Sequence, residues 1–142
     1  HTIANDEIKL SDSMIIKTQI HNHPNDAFSY KILSNDKIIS YVTDCEHGTG
    51  SPNEKLIKFS NNSDLLIHDA HFTPEDLINH KGWGHSSWEQ AVIMAQKSNS
   101  KQLILFHHNP NYNDNQVELI EQKAKQVFNQ TIAAKQGLVI YL

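Results

Sequence analysis

Leu103-Ile104-Leu105-Phe106-His107-His108-Asn109-Pro110 is a short apolar run that stops abruptly on two histidines. A run of this length, bounded by polar residues, reads as a buried strand rather than a helix. Leu65-Leu66-Ile67-His68 has the same form, again apolar and again ending on histidine. Between the two lie helix signals. Thr73-Pro74-Glu75-Asp76 offers an N-cap, a proline at the first helical position and acids in the first turn. Ser86-Ser87-Trp88-Glu89 fits a capping box with the helix starting at Ser86, and Ala91, Val92 and Ala95 supply an apolar face at helical spacing.

Upstream, Met14-Ile15-Ile16-Lys17-Thr18-Gln19-Ile20 is β-rich and ends at His21-Asn22-His23-Pro24. Phe28–Leu33 and Lys37–Thr43 flank the polar turn Ser34-Asn35-Asp36 and predict a hairpin. Residues 45–63 form a polar loop with a short helix over Asn53–Phe59. Downstream, Asn113-Asp114-Asn115-Gln116 opens a long helix with Val117, Ile120, Ala124, Val127 and Phe128 on its apolar side, and Gly137–Leu142 is expected as a final strand. Strands followed by strand–helix–strand–helix–strand define an α/β chain, a mixed sheet with helices on it. No repeat or linker divides residues 1–142, so they read as a single segment.

Composition narrows the function. The net charge of −4 argues against a protein that coats nucleic acid through a basic surface. It leaves room for an enzyme acting on nucleotides, because a bound metal supplies positive charge locally. Cys45 is the only cysteine, which excludes an internal disulfide and favours a reducing, cytoplasmic compartment. No apolar run approaches the roughly 18 residues of a membrane span. The chain opens His-Thr-Ile-Ala without Met, as expected for a fragment or a processed chain.

Four strands end on metal-capable residues: His21/His23, Asp44, His68 and His107/His108. In layered α/β folds ligands bind beyond the carboxyl ends of strands, and imidazole with carboxylate suits Zn, Mn or Fe. Each residue alone is more often a turn or cap residue than a ligand; the four endings together carry the reading. Gly84-His85-Ser86-Ser87-Trp88 approaches a nucleophile elbow, but Trp88 replaces the last glycine and no apolar strand precedes it. His47, His71 and His80 read as residues of solvated loops, and Trp83 and Trp88 as packing residues.

In order along the chain stand Thr43-Asp44, Ser63-Asp64-Leu65-Leu66-Ile67-His68-Asp69-Ala70, Gly82-Trp83-Gly84-His85-Ser86-Ser87 and Leu103–Pro110. The set resembles the C-terminal half of metallo-β-lactamase-fold hydrolases, in particular the phosphodiesterase branch of ribonuclease Z-like and cyclic-nucleotide phosphodiesterase-like proteins. The resemblance implies half of an αβ/βα sandwich, with helices on one face of the sheet. It implies His23, Asp44 and His107 as metal ligands, Asp44 bridging two divalent ions (Zn, Mn or Fe). It also implies His85 as the residue that protonates the leaving oxygen or holds the scissile phosphate, and His68 and Asp69 as residues that orient the ligands; His108, next to His107 and followed by Asn-Pro, is a candidate substrate contact by its position. The substrate that the resemblance implies is a small phosphoester or a nucleotide-like molecule, with an ester, thioester or lactam as alternatives that the fold also hosts.

The family's H-x-H-x-D-H motif, which supplies most metal ligands, does not occur in this chain. The resemblance therefore implies a hydrolase that is active only with a missing N-terminal half, and a sheet face that this half, or a second copy in a homo-oligomer, covers. Two other readings stay open: a non-catalytic half-domain serving as an interaction or oligomerisation module, and a small mononuclear zinc domain using His23, Asp44 and His107.

Overall fold

The computed structural model describes residues 6–48 and 50–142. Its strands are β1 (Glu7–Ser11), β2 (Met14–His21), β3 (Ala27–Ser34), β4 (Lys37–Val42), β5 (Leu65–Asp69), β6 (Leu103–Phe106) and β7 (Thr131–Ala133). Its helices are α1 (Glu54–Phe59), α2 (Pro74–Ile78), α3 (Trp88–Lys97) and α4 (Asp114–Val127). The strands form one seven-stranded sheet in sequence order. Pairing is antiparallel from β1 to β4 and parallel from β4 to β7. Thus β2, β4, β5 and β6 all run the same way and release their following loops at one edge.

Local chemistry sets the element ends. Asn35 and Asp36 take φ of 48° and 63° in a two-residue turn between Ser34 and its partner Lys37, as a hairpin with the right-handed strand twist requires. Asn53, Thr73 and Asn113 cap their helices, each side chain accepting a backbone N–H, a contribution of about 1 kcal/mol per cap. The cap of α3 is Ser87, not Ser86; its capping box closes with Gln90. Ser86 is buried instead, its N–H donated to Asp69.

Leu66, Leu103 and Leu105 project from one sheet face into a core with Leu56 and Ile57 of α1, Trp88, Ala91, Val92, Met94 and Ala95 of α3, and Ile120 and Ala124 of α4. The other face carries a cross-strand row, Ile8, Ile16, Ile32, Ile39 and Leu65, of which only Leu65 is buried. Helices on one face of a mixed sheet give the half-sandwich architecture that the sequence implied. Three local expectations change. The strand β1 was not anticipated, because all five of its residues are exposed and its pattern is weak. The last strand is Thr131–Ala133, which pairs with Leu103–Leu105, whereas Gly137–Leu142 has no strand structure and Tyr141 is 91% exposed. Val127, expected on the apolar side of α4, is 56% exposed. No helix among the described residues is long and apolar enough to cross a membrane.

Candidate functional site

The shared sheet edge gathers His23 after β2, Asp44 after β4, Asp69 at the end of β5, and His107 after β6. Asp44 and His107 both sit in left-handed backbone, φ 53° and 60°. Such conformations are uncommon for residues with a Cβ and cluster at functional sites. Their side chains meet, His107 Nε2 to Asp44 Oδ1 at 3.3 Å.

Asp69 organises the edge. Fully buried, it accepts four hydrogen bonds. Its Oδ1 takes the N–H of His71 at 3.1 Å and of Ser86 at 3.0 Å. Its Oδ2 takes the N–H of Asp44 at 3.0 Å and faces His85 Nδ1 at 2.9 Å. Because a carboxylate only accepts, the proton of this last bond lies on Nδ1. The Asp69 hydrogen bond, outweighing burial, raises the pKa of His85.

His71 stacks on His85, ring centroids 4.2 Å apart and planes 15° apart. Its Nδ1 donates to the carbonyl of His107 at 2.9 Å, so its lone pair is on Nε2. Burial lowers its pKa, helped by the charge of His85. His107 lies 4.9 Å from His85 and 5.2 Å from His71, centroid to centroid. His71, His85 and His107 each present a ligand atom within 4.8 Å of the others. His23 closes the group from the side, its ring 6.2 Å from that of His85.

Two contacts fix the loop that carries His85. Glu46 accepts the N–H of Gly82 at 2.8 Å and of Gly84 at 2.9 Å. Gly84 has φ +87°, and a Cβ there would fall 2.2 Å from His23 Cδ2 and 2.8 Å from Pro24 Cδ. Glycine is therefore required twice over, by the backbone and by His23.

Of the residues singled out in the sequence, His23, Asp44, Asp69, His85 and His107 come together. His68 does not join them: it is fully buried on the helix-covered face, where it meets Cys45 and His47. His108 lines a groove of about 850 Å³ with Tyr112, Glu118 and Glu121. The expectation of solvated loops fails for three histidines. His47 bonds His68, His71 stacks in the cluster, and His80 stacks on Phe72 with Nδ1 donating to the carbonyl of Asp76 at 2.7 Å. Trp88 is buried as expected, while Trp83 is 59% exposed with its ring against His80. His71 and Glu46 were missed. The one sequence signal for His71 is its place two residues beyond Asp69, and Glu46 carries none.

The donors fit a divalent metal. Imidazoles and a carboxylate converge, and His71 has the tautomer expected of a ligand, its second nitrogen tied to a backbone carbonyl.

A half-sandwich with this strand-end cluster defines a protein of the metallo-β-lactamase fold. The chain belongs to the beta-lactamase superfamily domain family, whose model matches residues 2–108. Among curated proteins it is similar to the ribonuclease Z of Sulfurisphaera tokodaii, 40% identical over 106 residues, covering 75% of this chain and 33% of that protein. The ribonuclease Z of Picrophilus torridus is 38% identical over 93 residues, covering 64% and 29%. Among solved structures, the metallo-beta-lactamase fold protein YhfI from Bacillus subtilis superimposes with a TM-score of 0.78 at 22% identity, covering 94% of this chain and 52% of that one. The short form of human tRNase Z gives 0.73 at 20% identity, covering 95% and 46%. The chain thus spans about a third of these curated relatives and about half of these solved structures.

Proposed function

We propose that the intact protein is a metal-dependent phosphodiesterase in which this chain supplies His23, Asp44 and His107 as metal ligands and His85 as the proton donor. The observation that carries the reading is the convergence of these four residues at one sheet edge, with Asp69 bonded to both the Asp44 backbone and the His85 ring. Further ligands come from sequence outside this chain, in keeping with its span of about half the solved structures. The ribonuclease Z name of the curated relatives favours a nucleotide phosphodiester among small phosphoesters.

A divalent metal held there by His23, Asp44 and His107 would supply an activated water and positive charge to offset the negative charge building on the phosphoryl oxygens. The chain's own residues do the rest. Asp69 holds His85 by Nδ1, so Nε2 is the nitrogen left to give a proton to the departing oxygen. The His85 pKa, raised by the Asp69 hydrogen bond, favours the charged imidazolium for that step. His71 limits the ring's rotation by stacking on it, and His108 is assigned to substrate contact from the adjacent groove.

The mutual approach of His71, His85 and His107 favours a second arrangement, in which these three hold a single ion and His85 is a ligand rather than a donor. Metal content and phosphodiester hydrolysis of Asp44→Ala and His85→Ala in the intact protein separate the two. Loss of metal in Asp44→Ala, with metal kept but rate lost in His85→Ala, supports the first. Loss of metal in His85→Ala supports the second.

A further inference from the structure

Consecutive strand residues leave on opposite faces, so His68 and Asp69 of β5 serve different neighbourhoods. Asp69 serves the strand-end cluster. On the helix-covered face, His68 Nε2 lies 3.0 Å from His47 Nε2 and 3.8 Å from Cys45 Sγ, and Cys45 Sγ lies 4.0 Å from His47 Nε2. We propose that Cys45, His47 and His68 form a second, buried site for one borderline-soft divalent ion such as Zn(II). It shares no ligand with the strand-end cluster and does not rest on the hydrolase reading.

The triangle has the size of a coordination shell. With Zn–S near 2.3 Å and Zn–N near 2.0–2.1 Å, tetrahedral angles place S and N about 3.6 Å apart and two N about 3.3 Å apart. The observed separations of 3.8, 4.0 and 3.0 Å each lie within about half an ångström of those values. Donor type agrees as well, since a thiolate with imidazoles selects zinc-like ions over Mg or Ca.

The surroundings are built for it. His68 Nδ1 donates to the carbonyl of Asp69 at 2.8 Å, which turns its Nε2 lone pair toward Cys45 and His47. Cys45 and His68 are fully buried, so little water competes for the ion. His21, 7% exposed at the end of β2, is the candidate fourth ligand. A charge on it would disfavour protonation of both His47 and His68, which places it in the same electrostatic neighbourhood.

Without the ion, His47 Nε2–H bridges to His68 Nε2, while His47 Nδ1 accepts the N–H of Asn53 at a long 3.3 Å. Loading moves the His47 proton to Nδ1 at the expense of that bond and expels the thiol proton: Zn²⁺ plus Cys45–SH gives the cation (Zn–S–Cys45)⁺ and one H⁺. Burial holds the free thiol protonated, and coordination removes the proton outright.

Cobalt(II) is the probe, added to the metal-depleted intact protein. A thiolate-to-cobalt charge-transfer band is expected in the wild type, with one proton released for the ion that produces it. Cys45→Ser should lose the band and one equivalent of cobalt, whereas His107→Ala, altered only at the strand-end cluster, should keep the band. Absence of the band in the wild type, or its survival in Cys45→Ser, overturns the proposal. Should Cys45→Ser not fold, X-ray absorption of the zinc-loaded wild type decides. A sulfur neighbour at about 2.3 Å supports the site, and a shell of nitrogen and oxygen alone refutes it.

Discussion

Replacing Asp69 by Asn removes one carboxylate oxygen and almost no volume, so its consequences follow from hydrogen-bond bookkeeping. The retained amide oxygen can keep the N–H groups of His71 and Ser86, now accepted by Oδ1. The amide NH₂ then faces the N–H of Asp44 and Nδ1 of His85. His85 can adapt by moving its proton to Nε2 and accepting at Nδ1, but the Asp44 N–H has no such choice. One buried donor without a partner costs about 1–3 kcal/mol, and loss of the charge-assisted bond to His85 brings the total to about 2–4 kcal/mol. Against a typical stability of about 5–15 kcal/mol the variant still folds. Its chemistry suffers more. Without the carboxylate, the doubly protonated His85 becomes scarce, and general acid catalysis contributes about 10²–10⁴-fold. Wild-type activity should fall as pH rises through the raised pKa of His85, and in Asp69→Asn that fall should begin at lower pH. Urea unfolding measures the first effect, and a pH–rate profile of phosphodiester hydrolysis with metal content in parallel measures the second. A folded Asp69→Asn enzyme with the wild-type rate and an unshifted basic limb would refute the role given to Asp69.

Gly84→Ala should destabilise by about 2–4 kcal/mol, from the left-handed φ and from the overlap with His23 and Pro24, and should weaken metal binding as His23 is displaced. Unchanged thermal stability and metal content would count against the placement of His23. Burial lowers the pKa of His21, His47 and His68. Below about pH 6.5 the unfolded chain therefore takes up protons that the native state resists, and their contribution, complete above that pH, is lost as pH falls through the lower native values. Each adds up to about 1.4 kcal/mol per pH unit to the slope, opposed by His85, whose raised pKa favours the native state at low pH. Urea unfolding of metal-free protein from about pH 7.5 to about pH 5 checks this, and a flat profile contradicts it.

The strand ends were legible because short apolar runs stopping on polar residues have few other readings, and β5 and β6 end within a residue of where the pattern puts them. The turn at Asn35-Asp36 and the caps at Thr73 and Asn113 were legible for the same local reason. What escaped depends on distant partners. Thr131-Ile132-Ala133 becomes a strand because Leu103–Leu105 offers an open edge, while the more apolar Val139-Ile140-Tyr141 does not pair. His71 enters the cluster through Asp69 and the His107 carbonyl, and Glu46 reaches 36 and 38 residues along the chain to hold Gly82 and Gly84. The family resemblance pairs His68 with Asp69 as residues that orient the ligands, yet strand alternation sends His68 to the opposite face.

The most direct test of the site is metal content measured alongside phosphodiester hydrolysis in the intact protein, for the wild type, Asp44→Ala and His85→Ala. With Asp44 as ligand and His85 as donor, Asp44→Ala loses metal and rate together, and His85→Ala keeps its metal while its rate falls by about 10²-fold or more. An Asp44→Ala protein that retains both metal and rate would contradict the account.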